Sequence, residues 1–164
     1  MEVEPPRGMG QRMVTRFAAS GPGSWVFARL LHHVDRPVHR LSRGRHTATS
    51  LVSGLPVAMV TTTGARSGQS RTVPLVAVPT SDGLAVVASN YGQPRHPGWY
   101  HNLVADPHGT VSVDGRSWSF RAELAEGARR DRIWARCLRI YPGFATYTRR
   151  AADRDIAVFV LLPT

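Results

Sequence analysis

The chain has 164 residues, 42% of them hydrophobic, and a net charge of +10. That length suits one domain with a real core and is short for two. The lone cysteine, Cys137, excludes an internal disulfide and points to a reducing, cytoplasmic setting; no apolar run reaches the roughly eighteen residues of a membrane span.

All 21 basic residues are arginine, since lysine is absent. Any phosphate clamp must therefore use guanidinium groups, which grip phosphate in a bidentate fashion. The positive balance favours anionic partners: nucleic acid, anionic lipid, or a ligand carrying phosphates and carboxylates. No nucleic-acid-binding module is recognisable, so no nucleic-acid partner is expected.

Residues 1–23 hold scattered Gly and Pro and read as a flexible N-terminal tail, without the apolar segment of a secretory signal. Residues 24–164 read as a single domain. Within it, 24–50 form an N-terminal helical segment that Ser24 can cap, with Trp25, Phe27, Leu30, Leu31 and Val34 as an apolar stripe. Arg36, Arg40, Arg43 and Arg45 follow closely. Such a stretch admits two readings: a helix packed on the domain with a solvated basic face, or peripheral contact with an anionic membrane through residues 25–45. His32, His33, His39 and His46 lack metal-ligand spacing, and no metal site is expected.

From Val57 onward short apolar runs alternate with turn residues. Val57–Thr63 reads as a strand, Gly64–Ser70 as a tight connection and Arg71–Pro79 as a second strand. Ser81-Asp82-Gly83 is a turn, and Leu84–Ser89 a third, nearly all-apolar strand. A Gly/Pro-bearing loop, Tyr91–Pro97, leads to a short helix over Gly98–Ala105. Thr110–Val113 and Arg116–Leu124 flank Asp114-Gly115, a strong hairpin signal. Ala128–Ile140 and Tyr141–Ala152 are helical, and Ile156–Leu162 is a last apolar strand. Strands joined mostly as hairpins predict an antiparallel barrel of about six strands in 55–163 with helices packed on it, a mainly-β α+β fold rather than a Rossmann fold.

Three segments can carry chemistry. In Thr61–Arg71, a strand runs into a Gly-bearing turn with two arginines and several hydroxyls, which suits an anion nest as well as an ordinary exposed hairpin. It is not a P-loop. In the second, Ala88–Gly92 precedes a helix on which Trp99 and Asn102 share a face, able to stack a planar ring and bond its edge, or simply to pack. In the third, Tyr141, Phe144 and Tyr147 recur every three residues, an aromatic wall or a core stripe.

Taken in order, Thr61-Thr62-Thr63-Gly64, Arg66-Ser67-Gly68-Gln69, Arg71 and Pro74-Leu75, then Ala88-Ser89-Asn90, Pro97, Trp99-Tyr100 and Asn102-Leu103, then Tyr141-Pro142, Phe144 and Tyr147, resemble the deazaflavin-dependent nitroreductases over about Leu55–Pro163. The resemblance implies a split β-barrel and coenzyme F-420, an 8-hydroxy-5-deazaflavin with a phospholactyl-polyglutamate tail. It implies an oxidoreductase passing a hydride from the reduced ring to a small electron-poor acceptor: a quinone, a nitroaromatic or an activated enone or lactone. It places Ala65, Arg66, Ser67, Gly68, Gln69, Arg71, Thr72, Val73, Pro74, Leu75 and Val76 along the phosphate and tail. Val87, Ala88, Ser89, Asn90, Gly98, Trp99, Tyr100, His101 and Asn102 hold the ring, and Phe144 closes over it. Ser89, Tyr141 and Tyr147 are the candidate catalytic groups, hydrogen-bonding a developing anion or passing a proton.

Two departures stand out: Asn90 where the family often has lysine, and Phe144 where it has tyrosine. Both bear on acceptor choice more than on cofactor binding. Alternatives are an FMN enzyme on the same barrel, a non-catalytic deazaflavin carrier, or a basic surface-binding protein. Monomer and homodimer are both compatible with the sequence.

Overall fold

The computed structural model describes residues 55–151 and 154–164. The expected tail (1–23), the N-terminal helix (24–50) and the basic stretch 25–45 lie outside the described residues.

The elements are β1 (Val57–Thr63), β2 (Ser70–Pro79), β3 (Leu84–Val87), a 3-10 turn (Asn90–Gly92), α1 (Gly98–Ala105), β4 (His108–Val113), β5 (Arg116–Leu124), α2 (Gly127–Ile140), α3 (Gly143–Ala151) and β6 (Val158–Pro163). All strand pairs are antiparallel, and the six strands close in the order β1-β2-β3-β6-β5-β4. This is the expected mainly-β barrel with helices packed on it. Asp114 and Gly115 both take left-handed backbone, φ 49° and 78°, which matches the twist of the β4–β5 hairpin they close.

Side-chain alternation sorts the barrel into two cores. Val60, Val86, Val111, Phe120, Phe159 and Leu161 point inward, and Trp99 and Leu103 of α1 join them. Val78, Val158 and Val160 point outward and are covered by Ile133, Cys137, Ile140, Tyr141, Phe144 and Tyr147 of the α2–α3 layer. Strands β3 and β6 bury both faces, which is why their sequences are apolar without interruption.

On α2 the buried residues Ile133, Cys137 and Ile140 recur at helical spacing. Arg129 fastens the helix to the barrel by reaching Asp82 at 2.7 Å and Glu123 at 3.2 Å. The Thr80 hydroxyl, helped by Arg129, holds the Asp82 carboxyl below the usual carboxylate range. Burial pushes the Cys137 thiol up to about 12, so it serves as a small core residue and not as a nucleophile.

Several boundaries differ from the sequence expectation: β2 begins at Ser70 rather than Arg71, β4 at His108 rather than Thr110, α2 at Gly127 rather than Ala128 and α3 at Gly143 rather than Tyr141. Strand β3 stops at Val87 rather than Ser89, because the chain leaves the sheet for a left-handed turn at Asn90. Strand β6 begins at Val158; Ile156 is buried, but its carbonyl accepts from Arg130, and the Ala157 carbonyl accepts from the Ala88 amide.

Candidate functional site

The turn after β1 is fixed by its own backbone: Gly64 N–H donates to the Gln69 carbonyl at 2.8 Å, and the Ser67 and Gly68 N–H groups both donate to the Gly64 carbonyl. Ala65–Arg71 are exposed along this turn. Arg71 donates to Gln69 Oε1 at 3.3 Å, and among the described residues neither Arg66 nor Arg71 meets a carboxylate. Two guanidinium groups without an internal counter-charge, at the rim of the barrel, suit an anionic ligand.

Asn102 joins this turn to α1. Its Oδ1 accepts from the Ala65 N–H and its Nδ2 donates to Thr62 Oγ1, both at 3.0 Å. Trp99 and Asn102 do share a helix face, but that face turns toward the barrel: Trp99 packs edge-on against Phe159, and Asn102 is 9% exposed. Replacing Asn102 by alanine leaves the buried Thr62 hydroxyl and the Ala65 N–H unpaired. The expected loss is about 1–3 kcal/mol, read by urea unfolding. A midpoint equal to that of the native chain would mean that the turn holds its place without Asn102.

Following the turn, Thr72, Val73, Pro74, Leu75 and Val76 of β2 are half-buried, with Thr72 Oγ1 2.8 Å from Thr61 Oγ1. Val87, Ala88 and Ser89 are buried. Beyond them Asn90, Tyr91 and Gly92 all have positive φ, at 45°, 56° and 78°. Strain of this kind, about 1–3 kcal/mol for each non-glycine residue, persists only where the surroundings impose it, and it concentrates at functional sites. Here Asn90 Nδ2 bonds the Arg95 carbonyl, and Gly92 lies against α3. Beside them His96 stacks on Tyr100 with centroids 3.9 Å apart, and the exposed His101 ring stands edge-on to both. Gly98 is exposed at the start of α1.

Tyr141, Phe144 and Tyr147 form one aromatic cluster, joined by Trp134 and, edge-on to Tyr147, by Tyr91. The two phenol oxygens are 2.9 Å apart. Burial raises the pKa of both, and in Tyr147 the neighbouring Tyr141 raises it further. Both therefore keep their protons throughout the physiological range, and either can donate.

The three segments thus form one continuous region. The turn is tied to α1 by Asn102, α1 flanks the Ala88–Gly92 segment through Tyr100 and His96, and Gly92 rests on α3. Sequence reasoning missed Arg154 and His96. Arg154 bonds the carbonyls of Ala88, Ser89 and Gln93 and meets His96, yet it follows β3 by more than sixty residues and sits in no motif.

The chain matches known proteins over this same region. The profile of a family described as F420-H2-dependent quinone reductase matches residues 34–163. An F420-H2-dependent quinone reductase of Mycobacterium tuberculosis is 37% identical over 81 residues, 48% of this chain and 54% of that protein. The chain thus spans about half the length of the curated relatives it matches. A solved F420-H2-dependent reductase is 38% identical, with a TM-score of 0.60 over 65% of this chain and 93% of its own. A second solved structure, described only as a domain-swapped dimer, is 33% identical, with a TM-score of 0.62 over 86% of this chain and 99% of its own. Among the described residues no helix is long and apolar enough to cross a membrane.

Proposed function

The chain belongs to the F420-H2-dependent quinone reductase family, and from that premise we propose that it is an oxidoreductase passing a hydride from reduced coenzyme F-420 to a small quinone-like acceptor. The observation that carries the reading is the single region just described, with two guanidinium groups that meet no carboxylate among the described residues at one end and a left-handed backbone turn beside aromatic side chains at the other. The domain-swapped relative supports a homodimer among the two oligomeric states considered.

When bound, the deazaflavin supplies hydride chemistry; the protein supplies position and electrostatics. Arg66 and Arg71 attract the acidic tail, and the Ala65–Gln69 turn with half-buried Thr72–Val76 lines its path. The Val87–Asn90 segment and the start of α1 receive the ring. Ser89 and the Tyr141–Tyr147 pair are the groups able to donate a hydrogen bond or a proton to an oxygen that becomes anionic as the acceptor is reduced. Since both phenols are neutral, they can act as donors without prior protonation of another group.

The test is a titration of the protein with oxidised coenzyme F-420, followed by tryptophan fluorescence, with FMN in parallel. Saturable quenching is expected at roughly micromolar coenzyme, with little effect of FMN, followed by quinone-dependent oxidation of the reduced coenzyme. Absence of deazaflavin binding would overturn the reading. Tight binding without turnover of any quinone would make the protein a carrier.

A further inference from the structure

We propose that Arg154 is the positioning residue of the ring-binding segment: its guanidinium clamps the Ala88, Ser89 and Gln93 carbonyls and so holds the left-handed Asn90–Gly92 turn in place, with His96 as the latch on the clamp. The assignment of this segment to the ring rests on the function proposed above; the clamp itself does not.

Arg154 Nη1 donates to the Ala88 carbonyl at 3.0 Å, Nη2 to the Ser89 carbonyl at 2.8 Å and Nε to the Gln93 carbonyl at 3.1 Å. These acceptors bracket the Asn90–Gly92 turn on both sides. The turn contains two non-glycine residues at positive φ, a conformation that relaxes unless something outside imposes it. A planar fork of five donors can serve three carbonyls at once, whereas an ammonium group on a flexible stem cannot hold that geometry. Among the described residues no carboxylate meets Arg154, so its charge is directed at backbone dipoles.

The fourth contact sets the state of the latch. Arg154 Nη1 lies 3.3 Å from His96 Nδ1, and a guanidinium has no acceptor. His96 Nδ1 must therefore accept, which places the ring proton on Nε2 and keeps the imidazole neutral. The groups facing His96 are Arg154, the stacked Tyr100 and the edge-on His101. Burial, then the charges of Arg154 and His101, push His96 below its ordinary value of 6.5. A depressed folded pKa means the contribution is fully present above 6.5 and is lost as pH falls from there through the lower folded value. Protonation turns Nδ1 into a donor facing a cation and loosens the clamp.

The full-length protein tests this in two readouts, amide hydrogen exchange without ligand and deazaflavin affinity. In Arg154→Ala, amides of Ser89–Gln93 are expected to exchange about 10- to 100-fold faster while β1 and β4 stay protected. Deazaflavin affinity should fall by about tenfold or more. Free guanidinium ion at low millimolar levels, far below denaturing concentration, should restore both; Arg154→Lys should behave like the alanine variant. In the native protein, protection of the segment should fall below pH 6.5 once intrinsic exchange is corrected for, and His96→Gln, whose amide oxygen still accepts, should flatten that dependence. Unchanged exchange in Arg154→Ala, or equal protection in Arg154→Lys and the native chain, overturns the clamp. Should the alanine variant fail to fold, Arg154→Lys and His96→Gln decide. A native chain that shows the exchange pattern but never binds deazaflavin overturns the proposed function and leaves the clamp standing. Normal binding with unchanged exchange does the reverse.

Discussion

Replacing Gly92 by alanine is expected to destabilise the fold by about 2–5 kcal/mol and to weaken deazaflavin binding with it. A Cβ at this position would stand 2.7 Å from Arg150 Cβ, 2.9 Å from the Tyr147 carbonyl oxygen and 3.1 Å from Tyr147 Cα. Two of those atoms are helix backbone. They cannot retreat, because the Tyr147 side chain is 2% exposed and bonded to the Tyr141 hydroxyl within the outer core. Crowding of this kind costs roughly 1–3 kcal/mol, and the left-handed φ of 78° adds about 1–2 for any residue with a Cβ. In a domain of this size the melting temperature should fall on the order of 10 °C. Gly98→Ala is the matched control: a Cβ there meets nothing within 4 Å, and alanine favours the helix it begins. If both variants melt together, the 3-10 turn does not rest on α3, and the continuity of the site is lost at that joint.

The second large effect is electrostatic. The double substitution Arg66→Ala, Arg71→Ala should weaken binding of the tailed coenzyme by about 100-fold or more, since charge-assisted hydrogen bonds contribute roughly 1.5–3 kcal/mol each. Both side chains are exposed and make no internal ion pair among the described residues, so folding stability should change by no more than about 0.5 kcal/mol. A deazaflavin head group lacking the phosphate and glutamates should bind both proteins alike. Native affinity for the full coenzyme should also fall steeply with salt, and the variant's much less. Calorimetry with the two ligands separates the outcomes. Equal losses for tailed and tailless ligand would place the arginines at the ring or in the fold. No loss for either would send the acidic tail along another part of the surface.

The sequence carried the strand and turn pattern well because its signals are local. Asp114-Gly115 needs positive φ at both positions, and hairpins of this length prefer that dipeptide. The double-sided burial of β3 and β6 shows in their unbroken apolar runs. Ile133, Cys137 and Ile140 mark the buried stripe of α2 by spacing alone. The candidate segments were also legible, through the ordered strings from Thr61 to Tyr147 that resemble a known family.

What the sequence by itself determined, then, is the set of elements, the barrel class and the chemistry of the exposed arginines. Only the tertiary structure decided how these groups are used. The sequence places Asn102 on one helix face with Trp99, and closure of the barrel brings it within 3.0 Å of both Ala65 N and Thr62 Oγ1, where it ties turn to helix. Tyr141 and Tyr147 are legible as an aromatic wall or a core stripe, and packing of α3 on the barrel buries both and joins their hydroxyls. Arg154 carried no signal at all, because a backbone carbonyl looks the same at every residue. Which carbonyls are left without a ladder partner, and which distant guanidinium can reach them, is settled only when β6 inserts between β3 and β5 and brings the end of α3 back to the turn after β3.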